Sequence, residues 1–338
     1  MKTYIHKDIF KTELGFELPE LQIAYHTLGN LNENKDNVIW ICHALTANSN
    51  PEEWWPEMVG QGRCFDTDKY FIVCANILGS CYGTTGPLSI NPKTQEPYYL
   101  DFPLITVRDM VQAHELLRIQ LEIKKIKMVI GGSIGGFQSL EWAILRPEIF
   151  DNQILIACSA KSSPWVIAFN ESQRLALKAD ASFGLKHEKA GEAGLKAARS
   201  IALISYRNSF AYNSTQAEDN ENVTDHYKSS SYQAYQGEKL IRRFNAYSYY
   251  YLSKSVDSHN IARNRGTLEE VLQSIRVKTT IIGITSDQLF PIHEQKFMAE
   301  HIPGSEFHEI DSPYGHDGFL IEYQQLTRII NQILKLKK

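Results

Sequence analysis

The chain has 338 residues, of which 43% are hydrophobic and 22% charged, and its formal net charge is −4. These values are typical of a globular protein and provide no basic footprint for nucleic acid. The five cysteines show no C-x-x-C spacing, which argues against a zinc site and a disulfide framework. Residues 1–15 lack the apolar core of a signal peptide, and no apolar run is long enough to span a bilayer. We therefore expect a cytoplasmic protein that binds neither nucleic acid nor membranes and holds no metal.

Short apolar runs alternate with helical patterns along most of the chain, which predicts an α/β fold with a mostly parallel sheet and helices on both faces. Strands are predicted at 21–25, 38–42, 70–75, 128–130, 153–158, 278–285 and 307–310. Helices are predicted at 107–121, after the glycines near 135, and at 321–336. The glycine-containing loop 76–87 is either near a site or a plain surface connection.

Helical patterns dominate between residues 161 and 276. They predict helices at 166–178, 194–205 and 237–253, with a loop over the Asn-, Ser- and Tyr-containing segment 208–231. We therefore divide the chain into a core domain, residues 1–160 and 277–338, and a helical lid insertion, residues 161–276. Because the insertion lies between two strands, we expect it over the carboxyl edge of the sheet. There it shapes a substrate entrance, forms a dimer surface, or does both.

The segment KMVIGGSIGGFQSLEWAILRPE, residues 127–148, contains the clearest motif in the chain. A strand pattern, a glycine turn and a helix pattern surround Ser133, as in the G-x-S-x-G nucleophile elbow. Gly131 and Gly135 flank the serine because side chains there would clash in so tight a turn. The helix N-terminus favours negative charge developing beside the serine. The alternative is an ordinary strand-to-helix turn that contains a serine.

A catalytic triad on this topology follows the chain order serine, acid, histidine. Ser133, Asp287 and His316 satisfy that order, and each follows a predicted strand, so all three are expected at one edge of the sheet. His316 would take the proton of the serine hydroxyl, and Asp287 would orient its ring. Asp311 is the competing acid, but it precedes the loop that delivers His316.

Two backbone amides are expected to form the oxyanion hole. Ile134, directly after the nucleophile, supplies one, and Leu45, in the loop after strand 38–42, supplies the other. We expect the ring of the neighbouring His43 to be structural, since the catalytic histidine of this topology comes last in the chain. These groups predict acyl transfer through a serine ester. They leave open whether water or another molecule takes the acyl group.

Several longer stretches extend the pattern beyond these motifs, and through them the chain resembles the homoserine O-acetyltransferases of the α/β-hydrolase superfamily. They are CHALT at 42–46, DTDKYFIVCANILGSCYGTTGP at 66–87, SINP at 89–92, FPLITVRDMV at 102–111, GGSIGGFQSLEWA at 131–143, YQGEKLIRRFNAYSYYYL at 235–252, SDQLFP at 286–291 and DSPYGHDGFLIE at 311–322. Gln288 stands where this family often has Trp, and ANSNPEEWW after CHALT also departs from the common pattern.

The resemblance implies an α/β-hydrolase fold and places the family's nucleophile, acid and base on Ser133, Asp287 and His316. It implies that Arg207 and Asp317 bind the amino-acid substrate. The implied reaction is ping-pong: the serine attacks acetyl-CoA, CoA leaves, and L-homoserine takes the acetyl group on the way to methionine. No bound cofactor is implied, acetyl-CoA is a co-substrate, and a homodimer through the lid helices is expected. Alternatives are a succinyl-CoA donor, a serine acceptor, a serine esterase, or a binding protein that lost the chemistry.

Overall fold

An eight-stranded sheet lies at the centre of the computed structural model, which describes residues 1–335. Its strands, together with a separate ribbon of β2 and β3, are β1 (Lys2–His6), β2 (Phe10–Lys11), β3 (Glu17–Leu18), β4 (Leu21–Leu28), β5 (Val38–Cys42), β6 (Phe71–Ala75), β7 (Ile126–Gly132), β8 (Asn152–Ile156), β9 (Lys278–Ile284) and β10 (Glu306–Ile310). The order across the sheet is β1-β4-β6-β5-β7-β8-β9-β10. β1 and β4 pair antiparallel to their neighbours, and the other six strands run parallel, as the sequence predicts.

Helices connect the strands and cover both faces of the sheet. They are α1 (Pro51–Trp54), α2 (Val107–Gln120), α3 (Ile134–Leu145), α4 (Pro164–Ala179), α5 (Glu192–Tyr206), α6 (Ser209–Thr215), α7 (Lys228–Ile241), α8 (Ala246–Asp257), α9 (Leu268–Ser274), α10 (Ile292–His301), α11 (Gly318–Ile321) and α12 (Tyr323–Lys335). Within residues 1–335 every helix is too short or too polar to span a bilayer.

The central strand β5 shows how the core is divided between the two faces. Val38 and Trp40 pack in the apolar cluster that contains α2 and α3, whereas Ile39 and Ile41 pack in the cluster that contains α12. All four side chains are fully buried. Because successive side chains of a strand point to opposite faces, a strand covered on both sides is apolar at every position.

The six helices α4 to α9 lie between β8 and β9, where the sequence predicts the insertion. α5 packs against α4 and α7, and it also contacts the turn that carries His316. This contact brings the helical segment to the edge of the sheet where the predicted site residues lie.

Two predictions for the helical segment were wrong in detail. The predicted helix 237–253 is interrupted, because Asn245 caps a new helix by accepting a hydrogen bond from Ser248 N at 2.8 Å. The predicted loop 208–231 contains α6, which Asn208 caps in the same way. In both places an asparagine begins a helix instead of marking a loop. The last predicted helix, 321–336, corresponds to α12, and Leu336 lies outside the described residues, as does the end of the 277–338 core segment.

Candidate active site

Ser133 occupies a strained turn between β7 and α3. Its φ of 59° and ψ of −129° lie outside the regions that L-residues ordinarily adopt. The main chain holds this conformation from both sides, because Ser133 N–H donates to Ile156 O at 3.0 Å and Ser133 O accepts from Gly136 N at 2.8 Å. Such strain persists only where the surrounding structure imposes it, and it occurs frequently at functional sites.

The glycines around Ser133 allow backbones to approach one another closely. A Cβ on Gly131 would lie 2.2 Å from the carbonyl carbon of Gly135, and a Cβ on Gly135 would lie 2.2 Å from Cys42 O. Both contacts are with main-chain atoms, which cannot move aside. A Cβ on Gly132 or Gly136 would also be too close to neighbouring side chains, at 2.6 and 2.5 Å. The motif GGSIGG therefore reflects the packing of β5, β7 and α3 around the serine.

His316 and Asp287 form a buried pair on the loops after β10 and β9. His316 Nδ1–H donates to Asp287 Oδ2 at 2.7 Å, and the two side chains are 4% and 0% exposed. The other carboxylate oxygen, Oδ1, accepts hydrogen bonds from Leu289 N at 2.8 Å and Phe290 N at 2.9 Å. With the proton on Nδ1, the ring presents Nε2 as a base.

The charges around His316 set its protonation. Burial of the ring lowers the pKa of His316, but the charge and hydrogen bond of Asp287, with a smaller contribution from Asp317, raise it more strongly. The net effect is a pKa above the ordinary value of 6.5. The site therefore stabilises the imidazolium that forms when the ring accepts a proton.

The competing acid, Asp311, lies elsewhere. Its side chain is exposed and accepts a hydrogen bond from Thr285 Oγ1 at 3.0 Å. The structure therefore brings Asp287, and not Asp311, into contact with the His316 ring.

A cavity of about 370 Å³ opens beside the serine and the histidine. Ser133, His316, Leu45 and Asp317 all line it, so it unites four of the predicted site residues. Asp287 lies behind the ring of His316 and does not line the cavity. Among the hydrogen bonds of residues 1–335, none joins Ser133 Oγ to His316.

One buried side chain ties together the two segments that carry the predicted oxyanion donors. Gln138 Nε2 donates to Ile134 O at 3.0 Å and to His43 O at 3.4 Å. Its Oε1 accepts a hydrogen bond from His114 Nε2 at 2.8 Å. Because His43 lies two residues before Leu45, this amide links the loop after β5 to the first turn of α3.

The ring of His43 also belongs to this support. Its Nδ1–H donates to Ala44 O at 2.8 Å, and its Nε2 accepts from Ile77 N at 3.0 Å. Burial lowers the pKa of His43 to about 4, so the ring is neutral near pH 7. These contacts agree with the structural role expected for it. They also place the start of loop 76–87 beside the loop after β5 that carries Leu45, so loop 76–87 lies near the candidate site and is not a plain surface connection.

Arg207 and Asp317 lie together, as the resemblance implies, but they contact each other. Arg207 Nε is 2.8 Å from Asp317 Oδ2. Asp317 lines the cavity, whereas Arg207 packs over the ring of Tyr314, 5.8 Å from its centroid, and is not a lining residue.

The sequence reasoning missed a second guanidinium. Arg199 lines the cavity and lies over the ring of Tyr206, 5.6 Å from its centroid, and Tyr206 lines the cavity as well. The two residues are seven positions apart on α5, which is two helical turns and places them on one face. The sequence contained one signal for Arg199, namely that it lies seven residues before Tyr206 and therefore on the same face of a helix.

Among the described residues, no three His, Cys, Asp or Glu side chains group in a way that could hold a metal ion. The polar groups at the cavity are instead the serine, the His316 ring, carboxylates and cations. This set can do nucleophilic acyl chemistry without a Lewis acid.

Known proteins share both the sequence and the fold. A family model described as the α/β hydrolase fold matches residues 37–323. The homoserine O-acetyltransferase of Cyclobacterium marinum is 49% identical, over 96% of this chain and 92% of that protein. The enzyme of that name from Chlorobium chlorochromatii is 43% identical, over 98% and 94%.

Solved structures agree with these relatives. A crystal structure of homoserine O-acetyltransferase from Bacillus anthracis superposes with a TM-score of 0.92 at 26% identity, over 99% of this chain and 97% of that one. Esterase E22 superposes with a TM-score of 0.89 at 23% identity, over 99% and 100%, and so shares the fold. The identity over nearly the whole chain shows that this protein belongs to the homoserine O-acetyltransferase family, within the α/β-hydrolase fold.

Proposed function

We propose that this protein transfers the acetyl group of acetyl-CoA to the hydroxyl of L-homoserine through an acetyl-serine intermediate. The observation that carries the proposal is the strained Ser133 at a cavity that His316, held by the buried Asp287, also lines. The 49% identity to a homoserine O-acetyltransferase selects this reaction among those the fold supports. The product, O-acetyl-homoserine, would be an activated intermediate on the way to methionine.

In the first half-reaction His316 Nε2 removes the proton of Ser133 Oγ, which attacks the thioester carbonyl. The carbonyl oxygen becomes an oxyanion, which the amides of Leu45 and Ile134 stabilise. Collapse of the tetrahedral intermediate breaks the C–S bond, and the CoA thiolate receives the proton from His316. Asp287 holds the ring and stabilises the imidazolium throughout.

The second half-reaction repeats this sequence with the homoserine hydroxyl as nucleophile. His316 removes the hydroxyl proton, the oxygen attacks the acetyl group on Ser133, and the serine leaves with the proton. Homoserine competes with water for the acetyl-enzyme, so transfer depends on how well the cavity holds the amino acid.

Homoserine carries an ammonium and a carboxylate, and a partly buried site must pair both charges. Asp317 is the proposed partner of the ammonium, and its place beside His316 would bring the hydroxyl near the base. Arg207 is the proposed partner of the carboxylate because a guanidinium binds a carboxylate with two parallel hydrogen bonds. We propose Arg199 as a further partner of the carboxylate, because it already lines the cavity. Entry of the substrate would exchange the Arg207–Asp317 pair for contacts with the ligand.

We also propose that residues 161–276 form a lid insertion on a core of 1–160 and 277–338, and that two copies associate through the lid. Exposed apolar side chains on the insertion support this arrangement; they include Trp165, Leu175, Leu185, Ile204 and Phe210. The proposed chemistry needs no prosthetic group or metal, and acetyl-CoA serves as a co-substrate. A cytoplasmic location would suit both substrates.

A panel of donors and acceptors tests the function. Acetyl-CoA or succinyl-CoA is mixed with homoserine, serine or water, and intact-protein mass spectrometry follows the acyl-enzyme while CoA release is recorded. We expect one acetyl group on the wild-type chain, none on Ser133→Ala, and fast discharge only with homoserine. Discharge to water as fast as to homoserine would identify an esterase. Preferred discharge to serine, or acylation only by succinyl-CoA, would change the proposed acceptor or donor.

A further inference from the structure

The segment YQGEKLIRRFN, at the end of α7 and before α8, has no role in the chemistry described so far. Two of its cations, Lys239 and Arg243, are four residues apart, about one helical turn. Both line the same cavity as Ser133. The segment therefore brings two positive charges to the wall of the proposed active site.

These two cations are not paired with carboxylates. Within the part of the chain that the structure describes, the ion pairs include neither Lys239 nor Arg243. The acidic groups of the cavity have other partners. Glu53 accepts from Asn48 Nδ2 at 2.7 Å and from Asn50 Nδ2 at 3.2 Å, and Asp317 is paired with Arg207. The two charges are thus available to an anionic ligand.

Arg243 is held in position although its side chain is exposed. Its Nη1 donates to Tyr82 Oη at 2.7 Å and to the main-chain oxygen of Thr46. Thr46 follows Leu45 in the loop after β5. Arg243 therefore has a defined place relative to Ser133, because its guanidinium contacts both the loop after β5 and loop 76–87.

We propose that Lys239 and Arg243 bind phosphate groups of a nucleotide-bearing acyl thioester. This inference rests on acetyl-CoA as the proposed donor. Homoserine has a single carboxylate, for which Arg199 and Arg207 are already present, so two further cations exceed what the acceptor needs. CoA carries a diphosphate and a 3′-phosphate on a flexible arm that ends in the thioester. Exposed cations at the rim of the cavity can bind these phosphates while the thioester reaches Ser133.

The test compares donors with and without phosphates. Acetyl-CoA, 3′-dephospho-acetyl-CoA and the acetyl thioester of N-acetylcysteamine, which has no phosphate, are used with wild type, Lys239→Ala and Lys239→Arg. We expect Lys239→Ala to raise the KM for acetyl-CoA by roughly tenfold, as the loss of a charge-assisted contact should. The kcat/KM for the phosphate-free thioester should remain within about twofold of wild type, and Lys239→Arg should restore much of the lost affinity for CoA.

Arg243→Ala is the second variant, and it should raise the KM for acetyl-CoA more than that for the phosphate-free thioester. Arg242→Ala is the matched control, since Arg242 is an adjacent exposed arginine that does not line the cavity. A similar loss with every donor would assign both residues to lid structure and overturn the proposal, as would an unchanged KM for acetyl-CoA. If the substitutions raised the KM for 3′-dephospho-acetyl-CoA less than the KM for acetyl-CoA, the cations would contact the 3′-phosphate, which agrees with the proposal.

Failure of the proposed function gives a different result. If wild-type protein were acetylated by the phosphate-free thioester but not by acetyl-CoA, acetyl-CoA would not be the donor, whatever KM values the Lys239 and Arg243 variants showed. Ionic strength supplies an independent measurement. Added salt should raise the KM of wild type for acetyl-CoA and should affect Lys239→Ala less, because one screened charge is gone.

Discussion

The carboxylate of Asp287 contacts the ring of His316 through a 2.7 Å hydrogen bond, and both side chains are almost completely buried. The other carboxylate oxygen is held by the main-chain amides of Leu289 and Phe290. Loop geometry therefore fixes the carboxylate, and the carboxylate fixes the ring, so the proton of the ring lies on Nδ1.

The first prediction concerns Asp287→Asn. The amide can replace the carboxylate in shape, but it allows the wrong tautomer and removes the charge that stabilises the imidazolium. By analogy with the serine protease triad we expect kcat to fall about 10⁴-fold. Single-turnover release of CoA measures this. Asp311→Asn is the matched control and should retain nearly full activity, because Asp311 is exposed and bonds Thr285. The reverse result would make Asp311 the acid.

The second prediction concerns pH. Burial lowers the pKa of His316, but Asp287 and then Asp317 raise it to a net value above 6.5. The base must be neutral to act, so the acylation rate should rise with pH, with an inflection above 6.5. In Asp287→Asn this inflection should move to lower pH. Rapid-mixing measurements of CoA release across the pH range test both statements, and a wild-type inflection below 6.5 would contradict them.

The raised pKa of His316 also affects the stability of the folded protein. Because the folded state binds the His316 proton more tightly than the unfolded chain, the His316–Asp287 pair contributes stability below the unfolded pKa. That contribution is lost as pH rises through the raised folded pKa. The difference in melting temperature between wild type and Asp287→Asn should therefore be larger at acidic pH than at alkaline pH, as long as Asp287 remains ionised.

The third prediction concerns Gly135→Ala. The new methyl group would meet Cys42 O at 2.2 Å, so β5 and α3 must separate. We expect a loss of about 3 kcal/mol and a fall in Tm of roughly 5 °C or more. Displacement of Ser133 should also lower kcat by about a hundredfold. Gly304→Ala is the control, because a Cβ there meets nothing within 4 Å and adds only the strain of a φ of +67°. Equal effects of the two changes on kcat would contradict this account of the turn.

The fourth prediction concerns Gln138→Met, which preserves volume but removes the bonds to Ile134 O and His43 O. Loss of an oxyanion donor costs about 10²- to 10³-fold, and here both donors remain but lose their support. We therefore expect acylation to slow by at least about tenfold. Loss of these buried hydrogen bonds should also lower stability by about 1–3 kcal/mol. Stopped-flow CoA release and thermal melting measure the two effects.

Gln153→Met is the control for that change. Gln153 is also fully buried, and its Nε2 donates to Thr279 Oγ1 at 2.6 Å, but it lies at the start of β8, away from the serine. It should lose stability without slowing acylation. A comparable loss of rate in both variants would show that general destabilisation, and not the lost support of the predicted oxyanion donors, is responsible.

Local patterns in the sequence were enough to predict the strands β4 to β10, the turn at Ser133 and the positions of Asp287 and His316 after strands, whereas the short strands β1, β2 and β3 were not predicted. Each of these depends on a short run of residues. A run of apolar residues predicts a buried strand, glycines indicate a close approach of two backbones, and a helical pattern follows them. The two asparagine caps were missed, because Asn208 and Asn245 suit a loop and a helix start equally well.

The sequence by itself thus determined the fold class and a short list of candidate catalytic groups, since these follow from periodicity, turn chemistry and motif spacing. It gave the family only through the resemblance of longer stretches to the homoserine O-acetyltransferases. Only the tertiary structure showed that Asp287, the acid already favoured from the sequence, contacts His316 and that Asp311 does not, and only it joined Arg207 to Asp317. It also brought Arg199, Lys239 and Arg243 to the cavity wall, and tied His43 to Ile134 through Gln138. These contacts join residues far apart in the chain. They depend on how the loops and helices α4 to α9 pack, and no local pattern carries that information.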